Sequence, residues 1–335
     1  MNHFHTTFNI FFIGISLAML SCSTQSKQAS SQSSNPKTET WAEKLGFPKD
    51  KIVLILHADD IGMCPEANIS ASRYLENDHI QSAAVMMPCP NAEEFIQWAI
   101  ANPQEDVGLH LTLTSEWKTH RWPGLTAVED APGLIDEEGH LWRSVRQVVE
   151  HASAEEVEKE IRAQIEKSIA FGYRPDHIDT HMGTLYGSHE YTEAYLKVAE
   201  EYNIPAMVID MQDPAIIEAF RSQGYPINQQ MIDAVNNYTL PKLDFFGSVP
   251  KGKTYEEKCE NFYQLLNTLK PGLSEIIFHP SELTDSLKNI TNSWQQRVWE
   301  AQMFEDPKVI QYMEDKGIVF TNWKEIMQRF EERKF

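Results

Sequence analysis

The sequence contains few cysteines and no cysteine pair with the spacing of a zinc-binding motif. Its 335 residues include only Cys22, Cys64, Cys89 and Cys259, and none of these forms a CxxC pair. A cysteine zinc site is therefore not expected. Cys22 lies in an N-terminal segment that resembles an export signal and is considered separately below. The other three are odd in number and cannot all pair, so we expect at least one buried thiol.

Basic residues are also scarce. Lys and Arg total 29 against 49 Asp and Glu, which gives a formal net charge of -20. No segment alternates basic with aromatic residues. An acidic protein repels phosphate backbones, so the composition argues against a nucleic-acid partner. The acidic residues are spread along predicted helices, and we interpret them as a solvated surface.

The first 21 residues contain neither Lys nor Arg, although they otherwise resemble an export signal. Residues 8–20 are mostly apolar but too few to span a bilayer comfortably, and Ser21 precedes Cys22. We interpret residues 1–22 as a lipoprotein-type signal peptide whose Cys22 is lipidated, and the Ser/Gln-rich residues 23–40 as a flexible tether. An uncleaved membrane anchor or an ordinary secretory signal is the alternative. The prediction is an exported protein of the bacterial cell envelope, attached to the membrane only by this lipid.

Short apolar runs alternate with helical patterns over residues 41–335, which we assign to a single domain. The predicted strands are 51–57, 82–87, 106–113, 176–181, 206–210, 243–246, 275–279 and 317–321. Such alternation predicts a parallel α/β fold, and eight units favour an irregular (β/α) barrel similar to a TIM barrel. An open doubly wound sheet has the same local pattern and stays an alternative. Residues 117–142 show no period and are predicted to form a long loop on the active-site side.

Four polar clusters stand at or near the C-terminal ends of predicted strands. They are HADDIG (57–62), VGLHLTLT (107–114), PDHIDTHMG (175–183) and EIIFHPSE (275–282). Each cluster alone has a structural explanation, such as a helix cap or a hydrogen-bonded core histidine. Together they favour a function, because the strand ends of an α/β barrel converge on one face.

The residue types in the first and third clusters suit a metal site. Of the adjacent Asp59 and Asp60, one carboxylate could bind a cation while the other acts as a base. His177, Asp179 and His181 are spaced by two, so they share one face of a strand. Imidazole with carboxylate suits zinc or another divalent transition metal, and the members that do not bind the ion would orient those that do.

Single histidines mark the second and fourth clusters. His110 is the only residue with ring nitrogens in an apolar strand. His279 ends the strand EIIF, where a histidine could donate a proton to a leaving group near neutral pH.

These stretches resemble the YdjC-like carbohydrate deacetylases, a family related in chemistry to the polysaccharide deacetylases. The matching pieces are HADDIG, GLHLTLT (108–114), HIDTH (177–181) and FHPSE (278–282), and they occur in the family's order. The resemblance implies an irregular α/β barrel that removes acetyl groups from N-acetylated, or alternatively O-acetylated, carbohydrates. An acetylated oligosaccharide or polysaccharide is then the expected partner.

The same resemblance assigns roles to individual residues. It implies that Asp60, His110 and His181 bind one divalent metal ion, with zinc or magnesium as the first candidates and manganese or cobalt as the others. It implies that Asp59 is the general base and His279 the general acid. His177 and Asp179 match positions near the site, and we expect them to orient the metal ligands.

Two positions depart from the family's usual pattern. His181 is followed by MGTLYG instead of a longer histidine run, which leaves the shape of the sugar subsite open, and His57 replaces the more usual Asn. Trp117, Trp122 and Trp142 of the long loop either stack on sugar rings or simply pack the loop.

Two other functions stay open at this stage. One is a different metallohydrolase of barrel fold, such as a phosphoesterase or an amidohydrolase. The other is a surface lipoprotein that binds glycans without catalysis. The sequence does not determine an oligomeric state.

Overall fold

A parallel sheet of seven strands forms the centre of the part of the chain that the structure describes. The strands are β1 (Ile52–Ile61), β2 (Ser82–Val85), β3 (Val107–Leu111), β4 (Ile178–Thr180), β5 (Phe245–Ser248), β6 (Gly272–Phe278) and β7 (Val319–Phe320). Six of them follow the order β4-β3-β2-β1-β6-β5, while β7 pairs with the first half of β1. The parallel α/β class predicted from the alternation of elements is confirmed.

The structure is a computed structural model that describes residues 39–333. From Thr40 onward these residues form one compact unit. The predicted signal peptide, Cys22 and nearly all of the predicted tether lie outside the described residues. Within residues 39–333, no helix is both long enough and apolar enough to cross a membrane.

Helices surround the sheet and follow most strands. Within the described residues the α-helices are α1 (Trp41–Lys44), α2 (Pro65–Glu76), α3 (Ala92–Ala101), α4 (Val145–His151), α5 (Ala154–Ala170), α6 (His189–Tyr202), α7 (Pro214–Ser222), α8 (Gln229–Asn237), α9 (Tyr255–Thr268), α10 (Asp285–Ile290), α11 (Trp294–Met303), α12 (Pro307–Asp315) and α13 (Trp323–Arg333). Two 3₁₀ segments, Pro132–Leu134 and His181–Tyr186, complete the elements.

Helix α5 shows how the local sequence defines an element. Ser153 and Glu156 form both halves of a capping box, which satisfies amide groups that the first turn leaves free. Val157, Ile161 and Ile165 are fully buried on one face, since residues four apart stand above one another along a helix.

The two ends of the sheet approach each other only through single bridges. Ile178 of β4 pairs with Ala206, and Ile209 pairs with Leu243, two residues before β5. Residues 206–210 are therefore not the regular strand predicted from sequence, because the segment changes partner after one bridge and builds no ladder with either neighbour. The sheet is curled into a half-barrel within a single domain, and a complete TIM barrel is not confirmed.

The long loop predicted at 117–142 is present and internally bonded. It contains only the short 3₁₀ segment and one antiparallel bridge between Ile135 and Leu141. The Arg121 guanidinium lies 2.6 Å from Asp136 and 2.7 Å from Glu138, which ties the loop together. The cysteines of the folded part also meet expectation, since Cys64, Cys89 and Cys259 are all free and buried.

Candidate metal and acid–base site

The C-terminal edge of the sheet brings the predicted site residues together. Asp59 and Asp60 lie near the end of β1, His110 lies in β3, His181 directly follows β4, and His279 directly follows β6. The strands are parallel, so their C-terminal ends lie on the same edge. The His279 side chain is 34% exposed, whereas those of Asp59, Asp60, His110 and His181 are at most 4% exposed, so solvent reaches the site from the His279 side.

A bulge directs both aspartates into the same site. β1 continues beyond its predicted end at residue 57, and in a regular strand Asp59 and Asp60 would point to opposite faces. The pairing register with β2 shifts between Ala58 and Ile61, and Asp60 has a φ of 62°. The irregularity allows the two carboxylates to face one space. A left-handed non-glycine residue is strained, and such strain clusters at functional sites.

Asp60, His110 and His181 form a set of three donors with the spacing of a metal site. One ligand atom from each lies within 4.8 Å of the others. Oδ1 of Asp60 is 3.5 Å from Nε2 of His110 and 3.2 Å from Nδ1 of His181. That oxygen is buried and has no hydrogen-bond partner. A buried carboxylate oxygen between two imidazoles fits a divalent ion, which would satisfy all three donors.

A carboxylate contacts the other ring nitrogen of both His110 and His181. Oδ1 of Asp179 lies 2.5 Å from Nδ1 of His110, and the oxygens of Glu116 lie 3.1 Å and 3.2 Å from Nε2 of His181. Histidines that bind metals commonly donate their other N–H group to a carboxylate, which fixes the tautomer and the ring orientation. Asp179 thus lies where the sequence predicted an orienting residue, whereas Glu116 was not predicted.

Other groups in the described residues also have ligand-like spacing, but each is less suited to an ion. His57 and His177 form one such group with Asp179, and Asp59 forms another with His110 and Asp179. Both depend on Asp179, which already lies against two histidines. A further group in the loop, Asp136 with Glu138 and His140, is partly exposed, and its two acids are bonded to Arg121.

Arg297 of α11 holds the second oxygen of Asp60. Its Nη2 lies 2.5 Å from Oδ2 of Asp60, and both side chains are buried. Burial alone raises the pKa of Asp60, but Arg297 and the nearby histidines outweigh it and keep that pKa well below its usual range. Asp60 is therefore a carboxylate with one oxygen fixed and the other free toward the histidines.

The electrostatics of His181 are set by its acidic neighbours. Burial lowers its pKa, but the carboxylates of Glu116 and Asp60 raise it to about 10. The metal-free site thus holds His181 as a cation, in the position where a metal ion would carry the positive charge instead.

Asp59 and His279 face each other across the open side of the site. Oδ2 of Asp59 lies 4.0 Å from Nε2 of His279. The backbone N–H of His279 donates to Oε2 of Glu300 over 2.7 Å, and Oε1 of Glu300 lies 2.7 Å from Nζ of the buried Lys258. The turn that carries His279 is thereby fixed to α11.

His177 lies deeper than predicted. Its Nδ1 is 3.1 Å from Oδ1 of Asp106, and its ring stacks on Trp323. Neither contact involves Asp60, His110 or His181, so His177 packs below the site and does not hold a predicted ligand directly.

The tryptophans of the long loop divide into two groups. The indole N–H of Trp122 donates to Thr114 O, and that of Trp142 donates to Gly133 O, so both support the loop. Trp117 instead has its ring centre 6.2 Å from that of His181 and lies beneath the Arg297 guanidinium. Packing explains the first two, and only Trp117 borders the site.

Sequence reasoning missed Glu116, Arg297 and Glu300. Glu116 follows GLHLTLT by two residues, so its nearness to a motif was a usable signal. Arg297 and Glu300 are three apart in α11, a spacing that puts them on one helix face. Nothing local in the sequence connected that face to the site.

Comparison with known proteins agrees with the motifs. A family model described as YdjC-like protein matches residues 53–315. A protein of Thermus thermophilus named carbohydrate deacetylase is 32% identical over 239 residues, which cover 71% of this chain and 80% of that protein. The chain belongs to the YdjC-like family. A second carbohydrate deacetylase, from Thermoanaerobacter pseudethanolicus, is 27% identical over 270 residues, 81% of this chain and 97% of that one.

A solved structure extends the comparison to the fold. The crystal structure of an Enterococcus faecalis protein, described as a candidate cellobiose-phosphate cleavage protein, superposes with a TM-score of 0.68 at 24% identity. The match covers 82% of this chain and 98% of that one. The YdjC-like match over residues 53–315 includes every residue predicted for the metal and acid–base site, and the predicted family is confirmed.

Proposed function

We propose that this YdjC-like protein is a metal-dependent deacetylase of N-acetylated, or alternatively O-acetylated, carbohydrates. One observation carries the proposal: Asp60, His110 and His181 present a three-donor set beside Asp59 and His279, which face each other 4.0 Å apart. A hydrolytic deacetylation needs a polarised carbonyl, a base for water and an acid for the leaving group, and these residues supply a position for each.

The residue types of the three proposed ligands also favour some divalent ions over others. One carboxylate and two imidazoles suit zinc, cobalt or manganese better than magnesium, which prefers oxygen ligands. A divalent ion held by Asp60, His110 and His181 would polarise the acetyl carbonyl and lower the pKa of a water molecule. We therefore rank zinc first among the candidates.

The chain's own residues move the protons. Asp59 uses Oδ2, the oxygen that faces the open side, to accept a proton from the attacking water. His279 gives a proton to the departing amine or hydroxyl of the sugar, so that acetate and the free sugar group leave. The backbone bond from His279 to Glu300 fixes the turn that carries the acid, whose Nε2 lies 4.0 Å from Oδ2 of Asp59.

Acetate release is the measurement that tests this function. The purified protein is stripped of metal, resupplied with zinc, magnesium, manganese or cobalt, and incubated with a panel of N-acetylated and O-acetylated sugars. We expect metal-dependent acetate from at least one sugar and none from the Asp60→Asn variant.

Other results would favour the alternatives. Two bound ions together with phosphate release would favour a phosphoesterase, because two-metal sites clamp both oxygens of a phosphoryl transfer. Sugar binding with one ion bound but no acetate from any pairing would favour a glycan-binding protein. Either outcome contradicts the deacetylase.

Glu116 provides a separate test of the metal site. Removing its carboxylate in Glu116→Ala leaves Nε2 of His181 without its partner. We expect metal affinity, corrected for the proton that His181 must release, to fall about 10- to 100-fold, the usual cost of losing such a partner. Competition with a coloured chelator measures it. Glu138→Ala is the matched control, since Glu138 lies in the loop that directly follows Glu116 but pairs with Arg121. Equal affinity in both variants would exclude a role for Glu116 in the metal site.

A further inference from the structure

His57 lies below the site and is surrounded by carboxylates. Its side chain is fully buried, with Nε2 at 3.2 Å from Oδ1 of Asp59 and 3.1 Å from Oδ2 of Asp179. Its Nδ1 lies 3.9 Å from Oε2 of Glu275. Three strands thus contribute one acid each. Among the ion pairs of residues 39–333, none joins a lysine or an arginine to any of these acids.

We propose that His57 is a permanently charged imidazolium that positions Asp59, the proposed base, and Asp179, the partner of His110. The inference rests on the proposed function and extends it to a residue outside the acid, the base and the metal ligands. His57 does not face the open side of the site, so it is a positioning residue.

Charge balance in the interior supports the imidazolium. Several carboxylates buried close together are very costly unless cations accompany them. The buried Arg297 is engaged with Asp60 and contacts none of the three acids. His110 also faces Asp59 and Asp179, but a histidine that binds a metal must be neutral. His57 lies against the same two acids and also faces Glu275, so a positive charge on His57 stabilises all three acids at once.

The number of N–H groups leads to the same conclusion. A neutral imidazole has one N–H and one bare nitrogen, whereas the imidazolium has an N–H on both nitrogens. Nε2 lies 3.2 Å and 3.1 Å from two carboxylates, and Nδ1 lies 3.9 Å from a third, which is beyond hydrogen-bond length. A proton on both nitrogens places positive charge next to all three acids. Burial lowers the pKa of His57, but Glu275, Asp179 and Asp59 raise it well above its usual value.

The two carboxylate oxygens of Asp59 contact different histidines. Oδ1 faces His57, and Oδ2 faces His279. A base held by one oxygen presents the other in a fixed direction, which is what proton transfer requires. Asp179 is shared in the same way, with Oδ2 on His57 and Oδ1 on His110. His57 therefore connects the proposed base to a proposed metal ligand.

One rival arrangement uses the same atoms. Burial raises the pKa of Glu275 to about 7, so a protonated Glu275 beside a neutral His57 is the competing state. The other groups around this position do not separate the two states. Trp323 of α13 donates its indole N–H to Oε2 of Glu275, and the His177 ring meets that of His57 edge-on at 4.9 Å.

Nitrogen NMR on protein labelled with ¹⁵N-histidine separates the two states without needing activity. The His57 signals are those that disappear in His57→Asn. We expect both ring nitrogens at imidazolium positions at a pH of about 8, where an ordinary histidine with a pKa of about 6.5 is neutral. One protonated and one bare nitrogen would overturn the proposal.

Two variants then test the positioning role, with the sugar that releases acetate as substrate. His57→Leu removes the donors, and we expect kcat to fall about 100-fold with KM unchanged, the usual cost of a misplaced reacting group. His57→Asn keeps a neutral donor, so its kcat should lie between those of His57→Leu and the wild type. Wild-type kcat in either variant would overturn the proposal.

Trp323→Phe is the matched control for loss of stability. It removes the hydrogen bond on the other side of Glu275 and does not touch Asp59 or Asp179, so we expect a lower melting temperature with little change in kcat.

If the wild type releases no acetate from any sugar, the proposed function fails by itself. The NMR result still decides the charge of His57, so the two failures are distinguishable. The NMR result also stands if His57→Leu does not fold.

Discussion

The Asp59→Asn variant is expected to lose about 1,000-fold in kcat for acetate release, because a general base contributes 10²–10⁴-fold and an amide cannot accept the proton. Metal affinity should stay the same, since Asp59 lies outside the Asp60–His110–His181 set. The amide has nearly the volume of the carboxylate, so packing in the buried site should be preserved. Acetate release and chelator competition on the same preparation measure both quantities.

Asp60→Asn is the comparison for that result. It makes the same replacement of a carboxylate by an amide at the adjacent residue. Because it removes the charge of a proposed metal ligand, both kcat and metal affinity should fall. Appreciable turnover in Asp59→Asn would remove Asp59 as the base. Loss of the metal in Asp59→Asn would instead make Asp59 a ligand and require the roles of the two aspartates to be exchanged.

The affinity for the metal ion is expected to rise with pH. Glu116 and Asp60 outweigh the effect of burial and raise the pKa of His181 in the metal-free protein to about 10. A histidine must be neutral to bind a metal, so binding releases this proton. Below that pKa the affinity should fall about tenfold for each unit of decrease in pH. The pKa of His110 is raised as well, because Asp179 and Asp59 outweigh its burial, which steepens the dependence.

Stability of the metal-free protein should change in the opposite direction. A pKa raised in the folded state adds stability that is fully present below the unfolded value, 6.5 for histidine, and is lost as the pH rises through the folded value. The contribution of His181 should therefore decrease between pH 6.5 and about 10. The metal-loaded protein should not show this decrease, because its His181 is neutral throughout.

Calorimetric titration of zinc in buffers with different ionisation enthalpies counts the protons released. Glu116→Ala is the informative control, since without that carboxylate the pKa of His181 should fall and fewer protons should be released at neutral pH. An affinity that does not change with pH would contradict the protonated His181 and the assignment of this residue as a ligand.

Much of this protein is determined by its sequence alone. The capping box at Ser153 and Glu156 defines where α5 begins, because a cap depends only on residues within one turn. The apolar runs predicted eight strands, and seven of these are present, six of them within a few residues of their predicted bounds. The motifs at Asp59, His110, His181 and His279 predicted one site, because the C-terminal ends of parallel strands meet at one edge whatever the helices between them do.

The ends of the strands and the closure of the sheet were harder to predict from the sequence. β1 was predicted to stop at residue 57, but β6 pairs with it to Ala58 and β2 to Ile61. Residues 206–210 have the composition of a strand and form only isolated bridges. Pairing between distant segments decides both features, and a local pattern contains no information about the partner.

The tertiary structure alone decided what surrounds each reactive group. Arg297 stands 237 residues after Asp60 and Glu116 stands 65 before His181, yet each is in direct contact with its partner. Ion pairs of this kind depend on the packing of α11 and of the long loop against the sheet edge. The sequence determined which groups could carry the chemistry, because that depends on residue type and strand-end position. Their charge states were decided only by folding, which buried them beside particular partners.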